Sequence, residues 1–125
     1  MKMRNVQLTT SEIASRFMEL AREERWFAIQ DELFDEEVRS IEPEDSPWLA
    51  TVAGRAAVRK KGEEWVGKIE AVNWVETGEP MVAGNHFVIR RLTDVEIRGI
   101  GRVVVDQLMV YEVKAGRIIS ERFFY

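Results

Sequence analysis

RGIGRVVVDQLMVYEVKAGRIISERFFY, residues 98–125, is the stretch whose reading decides the fold. Two β-type runs, Arg102–Val113 and Arg117–Tyr125, flank Lys114-Ala115-Gly116. Such a connection, ending in Gly, predicts a hairpin whose last loop residue needs positive φ. Successive side chains of a strand point to opposite faces. In the first run Arg102, Val104, Asp106, Leu108 and Val110 share one face, and Val103, Val105, Gln107, Met109 and Tyr111 share the other. The second run sets Ile119, Glu121, Phe123 and Tyr125 against Ile118, Ser120, Arg122 and Phe124. Both faces of the hairpin are largely apolar, whereas a sheet with one wet face reads as half polar. Helices are therefore expected on one face. The face bearing Val103, Val105, Met109 and Tyr111 is expected to be buried in a two-fold homodimer through the sheet. Asp106 stands out as a carboxylate between Val104 and Leu108 on its own face.

Moving back along the chain, Met81–Leu92 and Ala71–Glu76 read as further strands, with loops at Thr93-Asp94 and at Thr77-Gly78-Glu79-Pro80. Before Glu70 the pattern is three helices, one short strand and a loop over 44–47. Thr9 with Glu12 forms a capping-box pattern, and Ile13, Phe17, Leu20 and Ala21 follow at helical spacing to about Glu24. A second helix carries Trp26, Ile29, Leu33 and Phe34 on its apolar side, and a strand follows over 36–42 until Pro43 stops it. Gly54 opens a third helix with Ala57, Val58, Trp65, Val66 and Ile69 on its stripe, and its basic cluster Arg59-Lys60-Lys61 reads as a solvated face. The expected fold class is α+β: three N-terminal helices packed in the concave face of a strongly curved, mostly antiparallel sheet, one domain over 1–125. Such a cone has an open mouth and holds a pocket for a small apolar molecule.

Composition narrows the function. The chain has 125 residues, enough for one core. A formal net charge of −4 lacks the basic footprint of a nucleic-acid binder. With no Cys and a single His, neither a disulfide scaffold nor a metal site is expected, and no cofactor is called for. MKMRNVQL has no apolar leader and no run reaches membrane-span length, so no membrane partner and a cytoplasmic location are the expectations.

The paired first helices, ELFDEEVRSIEP (32–43), GRAAVRKKGEEW (54–65) and the ending VVVDQLMVYEVKAGRIISERFFY (103–125) together resemble SnoaL-like proteins of the nuclear transport factor 2-like superfamily, the cystatin-type α+β cone. The resemblance covers nearly the whole chain. It implies ketosteroid isomerases, polyketide cyclases and dehydratases as relatives, beside binding and structural domains, so it implies a pocket rather than one reaction. By that resemblance Glu42, immediately before Pro43, stands at the isomerases' general base, and Asp106 at their protonated oxyanion donor. Phe17, after Arg16, stands where they carry a Tyr. Phe123 stands where the polyketide cyclases carry a catalytic Asp, with Glu121 one step inward on the same face. The pocket-lining residues implied are Phe17, Trp48, Val88, Leu108, Glu121 and Phe123, with Trp48 as a lid or a plug, while Trp26, Trp65 and Trp74 read as packing residues.

Three residues are candidates for catalysis. Burial of Asp106 among aliphatics would hold it protonated, able to donate to an oxyanion; the alternative is a structural Asp paired with an Arg from a neighbouring strand. His86, the one imidazole, shares a face with Val82, Gly84, Val88 and Arg90 and titrates near neutrality, either as a base oriented by Asp106 or Glu121 or as a simple wall residue. Glu42 is either the base or an exposed strand end. The functional expectation is proton transfer next to a carbonyl in an apolar compound; the alternatives are a non-catalytic ligand-binding domain and a structural homodimerisation domain.

Overall fold

The computed structural model describes residues 7–125; MKMRNV, within the stretch that lacks an apolar leader, lies outside the described residues. Helix α1 (Thr10–Arg22) starts at the capping box: the Glu12 N–H donates to Thr9 Oγ1 at 3.2 Å and the Thr9 N–H to Glu12 Oε1 at 2.9 Å. It ends with Glu24 at φ 56°, while the Arg25 and Glu24 N–H groups reach the Leu20 and Ala21 carbonyls at 3.0 Å. That is a Schellman ending with Glu where Gly is usual. Helix α2 (Trp26–Leu33) follows at once and is one residue shorter than expected, since Phe34 opens strand β1 (Phe34–Ile41). After β2 (Val52–Ala53), Gly54 at φ 94° leads into α3 (Arg55–Lys68).

The remaining strands are β3 (Ile69–Thr77), β4 (Met81–Ala83), β5 (His86–Ile97), β6 (Gly101–Lys114) and β7 (Arg117–Phe124). They complete a curved seven-stranded sheet in the order β2-β1-β7-β6-β5-β3, with β4 also on β5. Only β1 and β7 run parallel. Bulges interrupt the register in the β1/β7, β3/β5 and β6/β7 pairs, and bulges bend and twist a strand. Three helices beside a largely antiparallel, curved, open sheet make this an α+β cone.

Two expectations are corrected. Met81–Leu92 is not one strand, because a turn at Gly84-Asn85 divides it. Thr93-Asp94 is not a loop: both residues lie inside β5, opposite Val105 and Val104. A Thr-Asp pair reads as a turn in isolation. Here Arg102 donates to both Asp94 oxygens at 3.0 and 2.7 Å, and Asn73 donates at 3.1 Å, so the carboxylate is satisfied within the sheet.

The core fills the closed end of the cone. Phe17 is fully buried, with its ring centroid 4.6 Å from Tyr111, 5.4 Å from Phe87 and 5.8 Å from Trp26. Ile13, Leu20, Ile29, Ile89 and Ile118 are buried around it. Burying a side chain of this kind stabilises by roughly 1.5–3 kcal/mol.

The largest correction concerns the two faces of β6. Val105, Met109 and Tyr111 point inward and are buried, whereas Val104, Asp106 and Leu108 point outward and are exposed. The face expected to form the dimer is the inner wall of the cone, and the Asp106 face is outside. Alternation separates the two faces but does not say which is inside when both are apolar. The neighbouring strand settles it: Tyr111 pairs with Glu121 and Met109 with Phe123.

Candidate functional site

The mouth of the cone opens into a cavity of about 1020 Å³ between the helices and the inner face of the sheet. Its walls are mainly apolar and aromatic, including Trp26, Trp48, Trp65, Met109, Tyr111 and Phe123. Two carboxylates lie deep in it. Glu42, just past β1, accepts from Lys61 Nζ at 2.7 Å and from the Tyr125 hydroxyl at 2.6 Å. The Tyr125 hydroxyl also meets Ser46 Oγ in the loop before α3. Both ends of the Glu42–Lys61 pair are buried, with side-chain exposures of 3% and 7%. Buried charges are kept where they are paired and hydrogen-bonded.

Glu121, on β7, is the second carboxylate. Ser40 Oγ, on the parallel neighbour β1, donates to its Oε2 at 2.6 Å. Burial raises the Glu121 pKa to about 7, the negative Glu42 adds to the rise, and the Ser40 hydrogen bond, Lys61 and Tyr111 oppose it. Burial also pushes the Tyr111 hydroxyl up, with Glu121 next to it, and pushes Tyr125 up, with Glu42 as its partner. Both phenols therefore remain hydrogen-bond donors at neutral pH. Glu121, with its pKa raised to about 7, exchanges its proton near neutrality, which is what a group that takes and returns a substrate proton needs.

The mouth is built from the end of α1. The left-handed Glu24 turns its carboxylate to Arg91 on β5, at 2.7 and 3.3 Å, and accepts from Trp26 Nε1 at 3.0 Å. Arg91 also donates to Thr77 at 2.7 Å, and its guanidinium lies 4.5 Å from the Trp26 ring centroid. On the opposite side, Lys68 Nζ holds the Trp48 carbonyl at 2.6 Å and places the Trp48 ring 6.5 Å from that of Trp65.

Of the residues singled out from the sequence, Glu42, Trp48, Glu121 and Phe123 come together on the cavity wall. Phe17 lies behind the wall, in the core beyond Trp26 and Tyr111. Asp106 sits outside, exposed and held by Arg90 through bonds of 2.9 and 2.8 Å, so Arg90 rather than burial sets its ionisation and lowers its pKa. His86, Val88 and Leu108 share that outer face, and His86 is exposed opposite Glu112. No contact joins His86 to Asp106 or Glu121.

Sequence reasoning missed Lys61, Tyr111, Tyr125 and Ser40 as site residues, and it treated Trp26 and Trp65 as packing. A signal for Lys61 existed: it falls on the same helical stripe as Val58 and Trp65, not with Arg59 and Lys60. A signal for Tyr111 existed too. A three-residue hairpin loop pairs Met109 with Glu121 and puts Tyr111 on their face, so Asp106 and Glu121 cannot point the same way. The real loop is the two-residue Ala115-Gly116, at φ 52° and 73°. A one-residue bulge between Glu112 and Val113 restores the same parity. Among the described residues no His, Asp or Glu cluster is arranged to hold a metal, and no helix is long and apolar enough to cross a membrane.

The profile of the SnoaL-like domain matches residues 8–125. A protein from Mesorhizobium loti described as a SnoaL-like polyketide cyclase superimposes with a TM-score of 0.87 at 32% identity, over 94% of this chain and 100% of that one. An NTF2-like protein of unknown function from Burkholderia pseudomallei gives 0.74 at 15% identity, covering 93% and 89%. A protein from Catenulispora acidiphila with a ketosteroid isomerase-like fold, crystallised with trimethylamine, gives 0.65 at 21% identity, covering 78% and 72%. No curated protein matches by sequence. With its NTF2-like cone and a family match spanning nearly its full length, this chain belongs to the SnoaL-like domain family.

Proposed function

We propose that the domain binds a small apolar carbonyl compound in the cavity and exchanges a proton with it at the carbon beside the carbonyl, as an isomerase, cyclase or dehydratase does. The observation that carries this reading is Glu121: a carboxyl deep in an apolar cavity, pKa raised to about 7, with the Ser40 hydroxyl on one oxygen and the Tyr111 hydroxyl beside it. In its ionised form Glu121 takes the proton; in its neutral form it returns it to carbon or to the leaving oxygen. The Tyr111 hydroxyl beside it is the donor at hand for the developing oxyanion. Glu42, tied to Lys61 and Tyr125, is a fixed wall charge that helps keep the Glu121 pKa high. Asp106 and His86 face away from the cavity and have no role in this reading. The description of the Mesorhizobium loti relative as a polyketide cyclase and the ligand of the Catenulispora acidiphila protein are in keeping with a small-molecule site.

The test is deuterium exchange by NMR. Apolar aryl ketones in D2O are expected to lose their α-protons faster with the wild-type protein than with Glu121→Gln. Equal rates, with the variant folded, would overturn the proton-exchange reading.

The outer face supports a homodimer as well. Trp74, Val104, Leu108 and Phe124 are exposed there by 45–52%; Leu108 lies opposite Phe124, Trp74 and Val104 flank Asp94, and the Arg90–Asp106 and Arg102–Asp94 pairs are set among them. Light scattering at micromolar concentration decides it, with a monomeric wild type as the contrary outcome.

A further inference from the structure

The charges on the cavity wall are almost all spoken for. Lys61 is paired with Glu42 at 2.7 Å, Arg91 with Glu24 at 2.7 Å, Arg25 with Glu23 at 3.6 Å and Glu70 with Arg98 at 3.8 Å. Among the described residues, Glu121 is the one charged side chain on the wall with no cationic partner in contact. It is also buried, only 7% exposed, against Ser40 from β1 and Tyr111 from β6. Its charged neighbours are Glu42 past β1 and Lys61 on α3, which are paired with each other and act on it in opposite directions.

A carboxylate or phosphate entering this cavity finds no free cation and meets two carboxyl groups. A neutral molecule finds apolar walls. A cation finds both an unpaired carboxyl and aromatic faces. The walls already hold two cations against rings, Lys61 Nζ at 5.4 Å from the Phe123 centroid and Arg91 at 4.5 Å from that of Trp26. The Trp48 and Trp65 rings line the cavity as well, with centroids 6.5 Å apart. Aromatic faces attract ammonium groups most strongly where water is excluded.

We infer that this cavity selects its ligand by charge: it takes an apolar molecule bearing one basic amine, seats the ammonium against Glu121, and rejects the carboxylate analogue. This rests on the cavity being the ligand site, as proposed above, but not on the proton-exchange step.

The linkage has a definite sign. An ammonium pairs with ionised Glu121, so its apparent affinity is the intrinsic one scaled by the ionised fraction. With a pKa of about 7, that fraction rises up to about tenfold from pH 6 to pH 8. Binding near neutrality also drives a proton off Glu121.

Isothermal titration with three probes of one shape, phenylbutylamine, phenylbutanol and phenylbutanoate, tests this at both pH values. The amine is expected to bind, up to about tenfold tighter at the higher pH, with a heat that depends on buffer ionisation because a proton is released. The alcohol is expected to bind more weakly and without pH dependence, and the acid not at all. Glu121→Gln is expected to bring the amine down to the level of the alcohol. Should that variant fail to fold, proton release by the wild type carries the test alone. If the alcohol binds while the amine is no tighter or the acid is as tight, the charge selection is overturned and the cavity reading stands. If none of the three binds, both are overturned.

Discussion

Lys61 Nζ lies 2.7 Å from Glu42 Oε2, with both side chains almost wholly buried, and this pair leaves Glu121 as the carboxyl without a cation in contact. A buried pair is strongly destabilised by removing one partner, since the other charge is left desolvated. Lys61→Met is therefore expected to cost about 3–5 kcal/mol. Lys61→Met combined with Glu42→Gln is expected to recover most of that. Urea denaturation of the two singles and the double closes the cycle; additive losses would contradict a coupled pair.

The Glu121 carboxyl sets a pH dependence of stability. Its pKa is raised on folding from 4.5 to about 7, so the folded state binds more protons than the unfolded one between these values. Relative to Glu121→Gln, wild-type stability should be highest below pH 4.5, fall as pH rises toward 7 and level off above it. The total fall is about 3 kcal/mol at most. Thermal melts of both proteins across that range measure it, and parallel curves would place Glu121 in contact with water.

Phe17 belongs to the core and not to the ligand site. Phe17→Ala is expected to cost about 3–5 kcal/mol, the range for deleting a fully buried ring. In Phe17→Leu most of that should be kept, and proton exchange with ligand should change little. A Phe17→Leu variant of unchanged stability that loses ligand binding would put the ring in the cavity instead.

Asp106 and His86 provide the matched control. Asp106 is exposed and its charge is shared with Arg90 on the outer face. Asp106→Asn and His86→Ala are expected to leave the rate of proton exchange at the wild-type level, where Glu121→Gln abolishes the enhancement. Loss of exchange in Asp106→Asn with retained folding would return that residue to the mechanism.

The outer face gives a prediction of its own. Leu108→Glu puts a negative charge opposite Phe124 on the outer face. It is expected to shift the protein to monomer in sedimentation while leaving ligand titration unchanged, since Leu108 does not touch the cavity. Loss of both together would mean that dimerisation shapes the cone.

Much of the architecture was legible in the chain, through rules that act over a few residues. The Thr9–Glu12 box marks a helix start, Pro43 marks a strand end, and Lys114-Ala115-Gly116 marks a turn, because backbone geometry and local hydrogen bonds govern each. Glu121 and Phe123 on the cavity side followed from alternation along one strand and from the family resemblance. The misplacement of Asp106 came from a different level. An apolar neighbourhood in sequence, Val104 and Leu108, is not burial in space. A strand whose two faces are both apolar carries no label for inside and outside.

What the sequence determined by itself was therefore the three helices, the closing hairpin, the parity of side chains along its strands and the α+β class, because these depend on periodicity and turn chemistry. What only the tertiary structure decided was which face of β6 meets the helices, that Lys61 from α3 reaches Glu42, and that Glu121 is left without a cation. Those outcomes depend on the β6–β7 register, on the bulge at Glu112/Val113 and on α3 packing against β1. Each brings together residues far apart in the chain, and no local pattern encodes the distance between them.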